Sequence, residues 1–286
     1  MPTWNTILPD PAAWRASVRV ALAEDHARDD VTSALLGPEA DRPARASLVA
    51  EADLVCAGLP VLAAVFAELG EAVLIETLAS EGAWCRPGAV LARIEGRAGG
   101  LLAGERILLN YIQRLSGIAT ATRRAAEAVA GTPARVTHTR KTSPGLRAFE
   151  LYAVAQGGGV PNRVSLADAV LWKDNHWALV SGASGLADAL ARVPPGLPVI
   201  IEVEDERQLA TALAAGVTHL LIDNQPPRIV AEWARRAGPL VTLQVSGGIT
   251  LANVRAYAEA GAHLVALGAL THSVGAAPVR CDLEPC

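Results

Sequence analysis

From about residue 134 onward, short runs of apolar and β-branched residues alternate with stretches whose apolar positions recur at helical spacing. The runs are ARVTHTR, DAVLWKD, VIIEVE, THLLIDN, VTLQVSGGI and HLVALGAL. Between the later ones lie ERQLATALAAG, PRIVAEWARRAG and TLANVRAYAEAG, which carry a helical stripe and close on Gly. Repeated strand-helix units with near-continuous apolar strands predict a parallel sheet. So many consecutive units favour a barrel over a doubly wound sheet.

Residues about 40 to 100 have a different pattern. ARASLVAEADLVCAGLPVL and AVLIETLASEGAWCRPGAVLARIEG break short apolar runs with Gly, Pro and Asp, which predicts a small sheet crossed by a helix at GLPVLAAVFAEL. Residues 101–131 form a helical stretch connecting the two parts, and the first 35 residues are expected to be helical. The expected division is 1–131 for the N-terminal helices, a small α/β domain and its connecting helix, 132–275 for a barrel, and 276–286 for a tail packing back on the small domain. DDVTS, Asp29 to Ser33, reads as a helix cap or interdomain contact.

The polar residues interrupting this pattern gather at strand ends. Arg140 and Lys141 end the first run, Lys173 and Asp174 the second, Glu202 and Glu204 the third, Asp223 and Asn224 the fourth, and Ser246 to Gly248 the fifth. In β/α barrels the carboxyl ends of the strands carry the active site.

Composition sharpens this. Lysine and arginine together number 25 in 286 residues, yet Lys141 and Lys173 are the only lysines, and both fall at predicted strand ends. A compact, flexible ammonium is not interchangeable with a guanidinium. The formal net charge of -4 argues against a nucleic-acid or membrane-surface partner, since those draw on a basic excess. No secretory leader or long apolar span is evident, so a cytoplasmic location is expected. Cys56, Cys85, Cys281 and Cys286 make no C-x-x-C pair, and reduced thiols are expected.

Five cations, Arg106, Arg140, Lys141, Arg163 and Lys173, accompany the carboxylates Glu202 and Asp223. Guanidinium forks hold carboxylates or phosphates, whereas carboxylates hold ribose hydroxyls or hydrated Mg²⁺. The backbone amides of SGGI and GALTHS could cradle a phosphate. This mixture suits a sugar phosphate. Taken singly, the Gly pair reads more readily as a tight turn, and the carboxylates equally as helix caps or partners of arginines.

ERILLNYIQRLSGIAT, TRKTSPGLR, YAVAQGGG, LWKDNH, IEVE, LIDN, SGGIT and GALTHSV together resemble the quinolinate phosphoribosyltransferase family, in order from LAEDHARDDVTS to near residue 275. The resemblance implies an α/β fold, with an incomplete parallel α/β barrel and a smaller N-terminal α/β sandwich domain. It also implies a homodimer, or a larger assembly, in which one subunit covers the other's barrel mouth. The implied reaction is the Mg²⁺-dependent transfer of phosphoribose from phosphoribosyl pyrophosphate to quinolinate. Decarboxylation follows, giving nicotinate mononucleotide, CO₂ and pyrophosphate, the entry step to NAD.

By the same resemblance, Thr139, Arg140, Lys141, Arg163 and Lys173 line the substrate end, with Arg106 supplied across the dimer. Glu202 and Asp223 bind ribose hydroxyls and, indirectly, the metal. Ser246, Gly247, Gly248 and Gly268 hold the 5′-phosphate. Lys141, Lys173, Glu202 and Asp223 form the implied catalytic set.

The chain departs from the family pattern at several positions. His138 stands where the family reads Asp, Asn162 where it reads His, Ile200 where a carboxylate is frequent, Gln244 where a glutamate is usual, and Asp29 where glycine is usual. Asn162 can donate a hydrogen bond but carries no charge, whereas His138 can be cationic. The expectation is compensation, with the His138 imidazole reaching the same substrate carboxylate. Two other readings remain: a related phosphoribosyltransferase for another heteroaromatic acid, and a class I aldolase using Lys173 as a Schiff base.

Overall fold

The computed structural model describes residues 8–180 and 182–286. The helical expectation for the first 35 residues therefore lies partly outside the described residues, at 1–7. In chain order the elements are α1 (Pro11–Glu24), α2 (Val31–Ala34), β1 (Pro43–Ala50), β2 (Leu54–Val55), α3 (Pro60–Leu69), β3 (Leu74–Thr77), β4 (Trp84–Cys85), β5 (Val90–Arg97) and α4 (Ala98–Ala128). There follow β6 (Arg135–Thr137), α5 (Arg147–Gln156), β7 (Val170–Trp172), α6 (Asp174–Leu179), α7 (Gly182–Leu190), β8 (Val199–Val203), α8 (Glu206–Ala214) and β9 (His219–Asp223). The chain closes with α9 (Pro227–Ala237), β10 (Thr242–Ser246), α10 (Val254–Glu259), β11 (Leu264–Ala266), α11 (Ala269–His272) and β12 (Val279–Pro285).

Two compact units result. The first contains residues 8–123, Thr142–Gly158 and Ser273–Cys286. Its main sheet has the order β12-β1-β5-β3, and β12 pairs antiparallel with β1 from Ala44 opposite Pro285 to Ala50 opposite Val279. The core under this sheet joins Leu48, Leu91 and Ile94 of the strands to Val61, Leu62 and Phe66 of α3 and to Leu108, Ile112 and Leu115 of α4. Asp30 caps α2 by accepting from the backbone N–H of Thr32 at 2.9 Å and of Ser33 at 3.1 Å. The DDVTS segment is thus a helix cap.

Gly117 of α4 marks where the carboxyl-terminal segment crosses that helix. A Cβ there would lie 2.2 Å from the carbonyl oxygen of Gly275, and Ala277 N–H donates to Gln113 O at 2.8 Å close by. Only glycine allows this approach.

The second unit contains Arg124–Lys141 and Gly159–His272. Its six strands run in the order β6-β11-β10-β9-β8-β7, with parallel pairing throughout. The chain neighbours β6 and β7 lie at opposite ends of this order, so the barrel is incomplete between them, and a single parallel bridge from Thr137 to Val160 extends the β6 edge.

The expected boundary at 131/132 needs correction. Residues 142–158 belong with the first unit because α5 is tied there: the Phe149 ring packs at a tilt with its centroid 4.5 Å from that of Trp14, and the fully buried Glu150 accepts from Arg114 at 2.7 Å. Residues from Ser273 onward belong with it as well, and the end of α4 from Arg124 goes with the second unit. The tail thus begins at Ser273 rather than 276.

Candidate active site

Side chains alternate between the two faces of a strand, and one face of the second unit's strands supplies the lining of a cavity of about 470 Å³. Alternate residues enter it in pairs: His138 and Arg140, Leu171 and Lys173, Glu202 and Glu204, Leu221 and Asp223, Gln244 and Ser246. Leu171, Leu221 and Gln244 lie within their strands, and Lys173, Asp223 and Ser246 follow at or just past the strands' carboxyl ends. Thr139, Lys141, Asp174, Asn162, Arg163 and Asn224 complete the polar wall.

Local structure explains several positions. Thr139 Oγ1 accepts the Lys141 backbone N–H at 3.1 Å, and the Lys141 carbonyl accepts from Thr271 Oγ1 at 2.7 Å, so TRKT is a pinned turn. In LWKDNH, His176 Nδ1 accepts the Lys173 backbone N–H at 3.0 Å, closing the first turn of α6. The indole of Trp177 donates to Glu202 O at 2.9 Å. Asp168 accepts from the backbone N–H of Val164 and Ser165 and from Ser165 Oγ, which fixes the loop just after Arg163.

The charges are distributed unevenly. The Lys173 ammonium lies 3.7 Å from the Glu202 carboxylate. Burial pushes Glu202 above the usual carboxylate range, against the pull of Lys173, and neighbouring Asp223 adds to the rise. Burial and then the Arg140 guanidinium push Arg163 below the ordinary arginine range. Arg163 makes no ion pair among the described residues, and Arg140 Nε is buried without a hydrogen-bond partner. Glu202, Glu204 and Asp223 each bring one oxygen within 4.8 Å of the others.

His138 and Asn162 require a correction. The imidazole lines the cavity but is only 2% exposed, and burial pushes it down to about 4. Its Nε2 accepts the Asn162 backbone N–H at 3.1 Å. At neutral pH His138 is therefore an uncharged ring, not the cation its residue type permits. The Asn162 side chain is also committed: Oδ1 accepts Arg163 N–H at 2.8 Å, and Nδ2 approaches His138 O at 3.5 Å. The two residues clip the end of β6 to the loop preceding Arg163.

Gln244 is held in the same buried layer by the neutral His219, whose Nε2 lies 3.3 Å from Gln244 Oε1. Ile200 is 1% exposed and extends the apolar floor on the Glu202 face of β8.

The remaining expected residues are not among the lining. Arg106 is exposed on α4 in the first unit. Gly247 and Gly248 follow Ser246 at the end of β10, and Gly268 follows β11, where a Cβ would meet His272 Nε2 at 2.8 Å and the Lys141 chain at 3.4 Å. Glu204, Asp174 and Asn224 were readable as strand-end residues but were not assigned to the site. The i, i+2 spacing of Glu202 with Glu204 is the signal that finds the first of them.

Lys173 sits beside a carboxylate rather than in the apolar surroundings that a Schiff-base lysine needs, which removes the observation an aldolase would require.

Comparison with known proteins agrees with the geometry. The quinolinate phosphoribosyl transferase N-terminal domain matches residues 30–116 and the C-terminal domain residues 118–280. The nicotinate-nucleotide pyrophosphorylase (carboxylating) of Mycobacterium leprae is 39% identical over 279 residues, covering 95% of this chain and 97% of that protein. The probable enzyme of the same name from Bacillus subtilis is 38% identical, covering 91% of this chain and 90% of that protein. The solved nicotinate-nucleotide pyrophosphorylase of Francisella tularensis superposes with a TM-score of 0.91 at 28% identity, covering 99% of this chain and all of that one. With both domains matched in order across nearly its whole length, the chain belongs to the quinolinate phosphoribosyl transferase family.

Proposed function

We propose that this chain transfers the phosphoribosyl group of phosphoribosyl pyrophosphate to quinolinate, with loss of CO₂, giving nicotinate mononucleotide and pyrophosphate for NAD synthesis. The observation that carries this is the division of charge inside one cavity. Arg140, Lys141, Arg163 and Lys173 share it with the cluster of Glu202, Glu204 and Asp223. Anionic substrates satisfy the first group, and a ribose with its associated cation satisfies the second.

In this reading Arg140, Arg163 and Lys173 bind quinolinate carboxylates and pyrophosphate oxygens, and Thr139 and Lys141 contribute from the turn around Arg140. Lys141 and Lys173 carry point charges to the departing pyrophosphate, while Glu202 and Asp223 orient the ribose hydroxyls. Preoriented donors of this kind stabilise charge that moves between substrate groups during reaction. Ser246 and the backbone of Gly247, Gly248 and Gly268 receive the 5′-phosphate. His138 and Asn162 shape the acceptor pocket through the backbone clip.

Three carboxylate oxygens within 4.8 Å form a hard donor set that fits Mg²⁺. Glu202, Asp223 and Glu204 would hold it directly or through water, and when bound it would neutralise pyrophosphate charge. A homodimer belongs to the same reading, with Arg106 of a second copy reaching the quinolinate carboxylate. Cytoplasmic placement is supported by four cysteines that remain free. Among the described residues no helix is long and apolar enough to cross a membrane.

The test is pyrophosphate release from phosphoribosyl pyrophosphate with Mg²⁺, comparing quinolinate, nicotinate and no acceptor, with the product mass measured. Release only with quinolinate, with the mass of nicotinate mononucleotide, is the expected result. Release with nicotinate alone, or none with either acid, would overturn the assignment.

A further inference from the structure

Asn224, directly after β9, is one of two non-glycine residues in the left-handed region among the described residues, at φ 52°. Asparagine tolerates that region better than most side chains. The side chain there turns onto the preceding residue: Nδ2 donates to Asp223 Oδ2 at 2.6 Å. The amide's orientation follows from chemistry, because a carboxylate can only accept.

The other carboxylate oxygen, Asp223 Oδ1, accepts from Ser246 Oγ at 2.7 Å on the neighbouring strand. The Asn224 backbone N–H donates to Ser246 O at 3.0 Å. The strand ends β9 and β10 are thereby joined around one carboxylate. Gly247 completes the arrangement: a Cβ there would stand 2.2 Å from Asn224 Oδ1, so the amide occupies the space a side chain would take.

We propose that Asn224 is a positioning residue for Asp223, its amide and the Ser246 hydroxyl fixing the carboxylate from both sides and leaving its remaining lone pairs for the ligand. The inference rests on the reading of Asp223 as a ribose or cation ligand. It also gives Ser246 a second task beside the 5′-phosphate and explains why Gly247 is glycine.

The test uses Asn224→Gly, which keeps the left-handed backbone without strain and removes the side-chain amide with its donor to Asp223. Calorimetric binding of phosphoribosyl pyrophosphate with Mg²⁺, without acceptor, should weaken roughly tenfold, the scale of one hydrogen bond to a charged group. The thermal unfolding midpoint should not fall. In an Asp223→Ala background the same change should alter binding less than twofold, because Asn224 would then have nothing to position. Unchanged binding in the single variant, or an equal tenfold loss in the Asp223→Ala background, overturns the proposal, the latter by showing that Asn224 touches the ligand itself. A crystal structure of Asn224→Gly provides a ligand-free arm. A displaced or multiply oriented Asp223 carboxylate supports the proposal, and an unchanged one overturns it. A wild type that failed to bind phosphoribosyl pyrophosphate would fail the functional reading, while the Asp223 orientation would still decide this inference.

Discussion

Acidification should destabilise the barrel unit through two buried imidazoles. His138 and His219 are 2% and 3% exposed, and burial pushes each from 6.5 down to about 4. Below pH 6.5 the unfolded chain takes up a proton on each ring that the fold refuses until about pH 4. The stabilisation is therefore present above pH 6.5, declines as pH falls through that window, and is lost below about 4. At about 1.4 kcal/mol per pKa unit, each histidine contributes about 3 kcal/mol. Two of them are large against a total stability of about 5–15 kcal/mol. Protonating His138 also removes the Nε2 lone pair that accepts the Asn162 N–H, so the clip beside Arg163 opens. The assay is urea unfolding followed by fluorescence from pH 7 to pH 4 for wild type, His138→Gln and His219→Gln. Glutamine retains an acceptor oxygen and does not titrate. Each variant's plot of stability against pH should be shallower than wild type by up to about 1.4 kcal/mol per pH unit near pH 5. Carboxylate contributions common to the three proteins cancel in the difference. A plot for His138→Gln parallel to that of wild type would show that the native ring takes up its proton as readily as the unfolded chain does and would refute the reasoning.

Gly117→Ala should cost about 1–3 kcal/mol, since its Cβ would meet Gly275 O at 2.2 Å; a lowered melting temperature and faster proteolysis before β12 are the readouts. Glu150→Gln should destabilise the first unit by about 3 kcal/mol, the lower end for a broken buried pair, because Arg114 keeps some solvent access while Glu150 has none. Denaturant unfolding measures it, and a loss below about 0.5 kcal/mol, the size of an ordinary surface substitution, would contradict the burial argument. Chelation of divalent cations should abolish pyrophosphate release, and added Mg²⁺ should restore it without a change in circular dichroism. Activity unaffected by chelation would exclude a metal role for the Glu202, Glu204 and Asp223 cluster.

What was legible in the sequence depended on the range of the interaction. The strand runs and their charged ends were readable because the strand period and the position of barrel sites are local regularities, and Lys173, Glu202 and Asp223 fall on one cavity as that reading requires. Membership of α5 in the first unit was not readable. Its helical pattern suits either unit, and contacts far apart in sequence, Phe149 against Trp14 and Glu150 with Arg114, decide. The charge on His138 was misread for a similar reason. The residue type permits a cation, but burial and a backbone donor from Asn162 set its state. Gly247 looked like a phosphate-loop glycine, and nothing local in SGG reveals that the Asn224 amide fills the space beside it.

The cavity's carboxylates and cations are supported in opposite ways. Asp223 is held by two side-chain donors and Glu202 sits beside Lys173, so the acidic side is largely set before any ligand arrives. Burial and then Arg140 push Arg163 down, against the pull of Asp168 and Glu202, and neither arginine forms an ion pair among the described residues. The Arg163 and Arg140 guanidinium groups are placed by their flanking backbone: the Asp168 loop after Arg163, the Asn162 bond to its N–H, and the Thr139 turn after Arg140. Burial of the Arg163 guanidinium is a cost that an anionic ligand relieves. Because the backbone fixes the donors, that relief requires little reorganisation when charge shifts during reaction. Neutral His138 fits this arrangement better than a third cation would. It supplies the anchoring acceptor for the Asn162 N–H without adding positive charge.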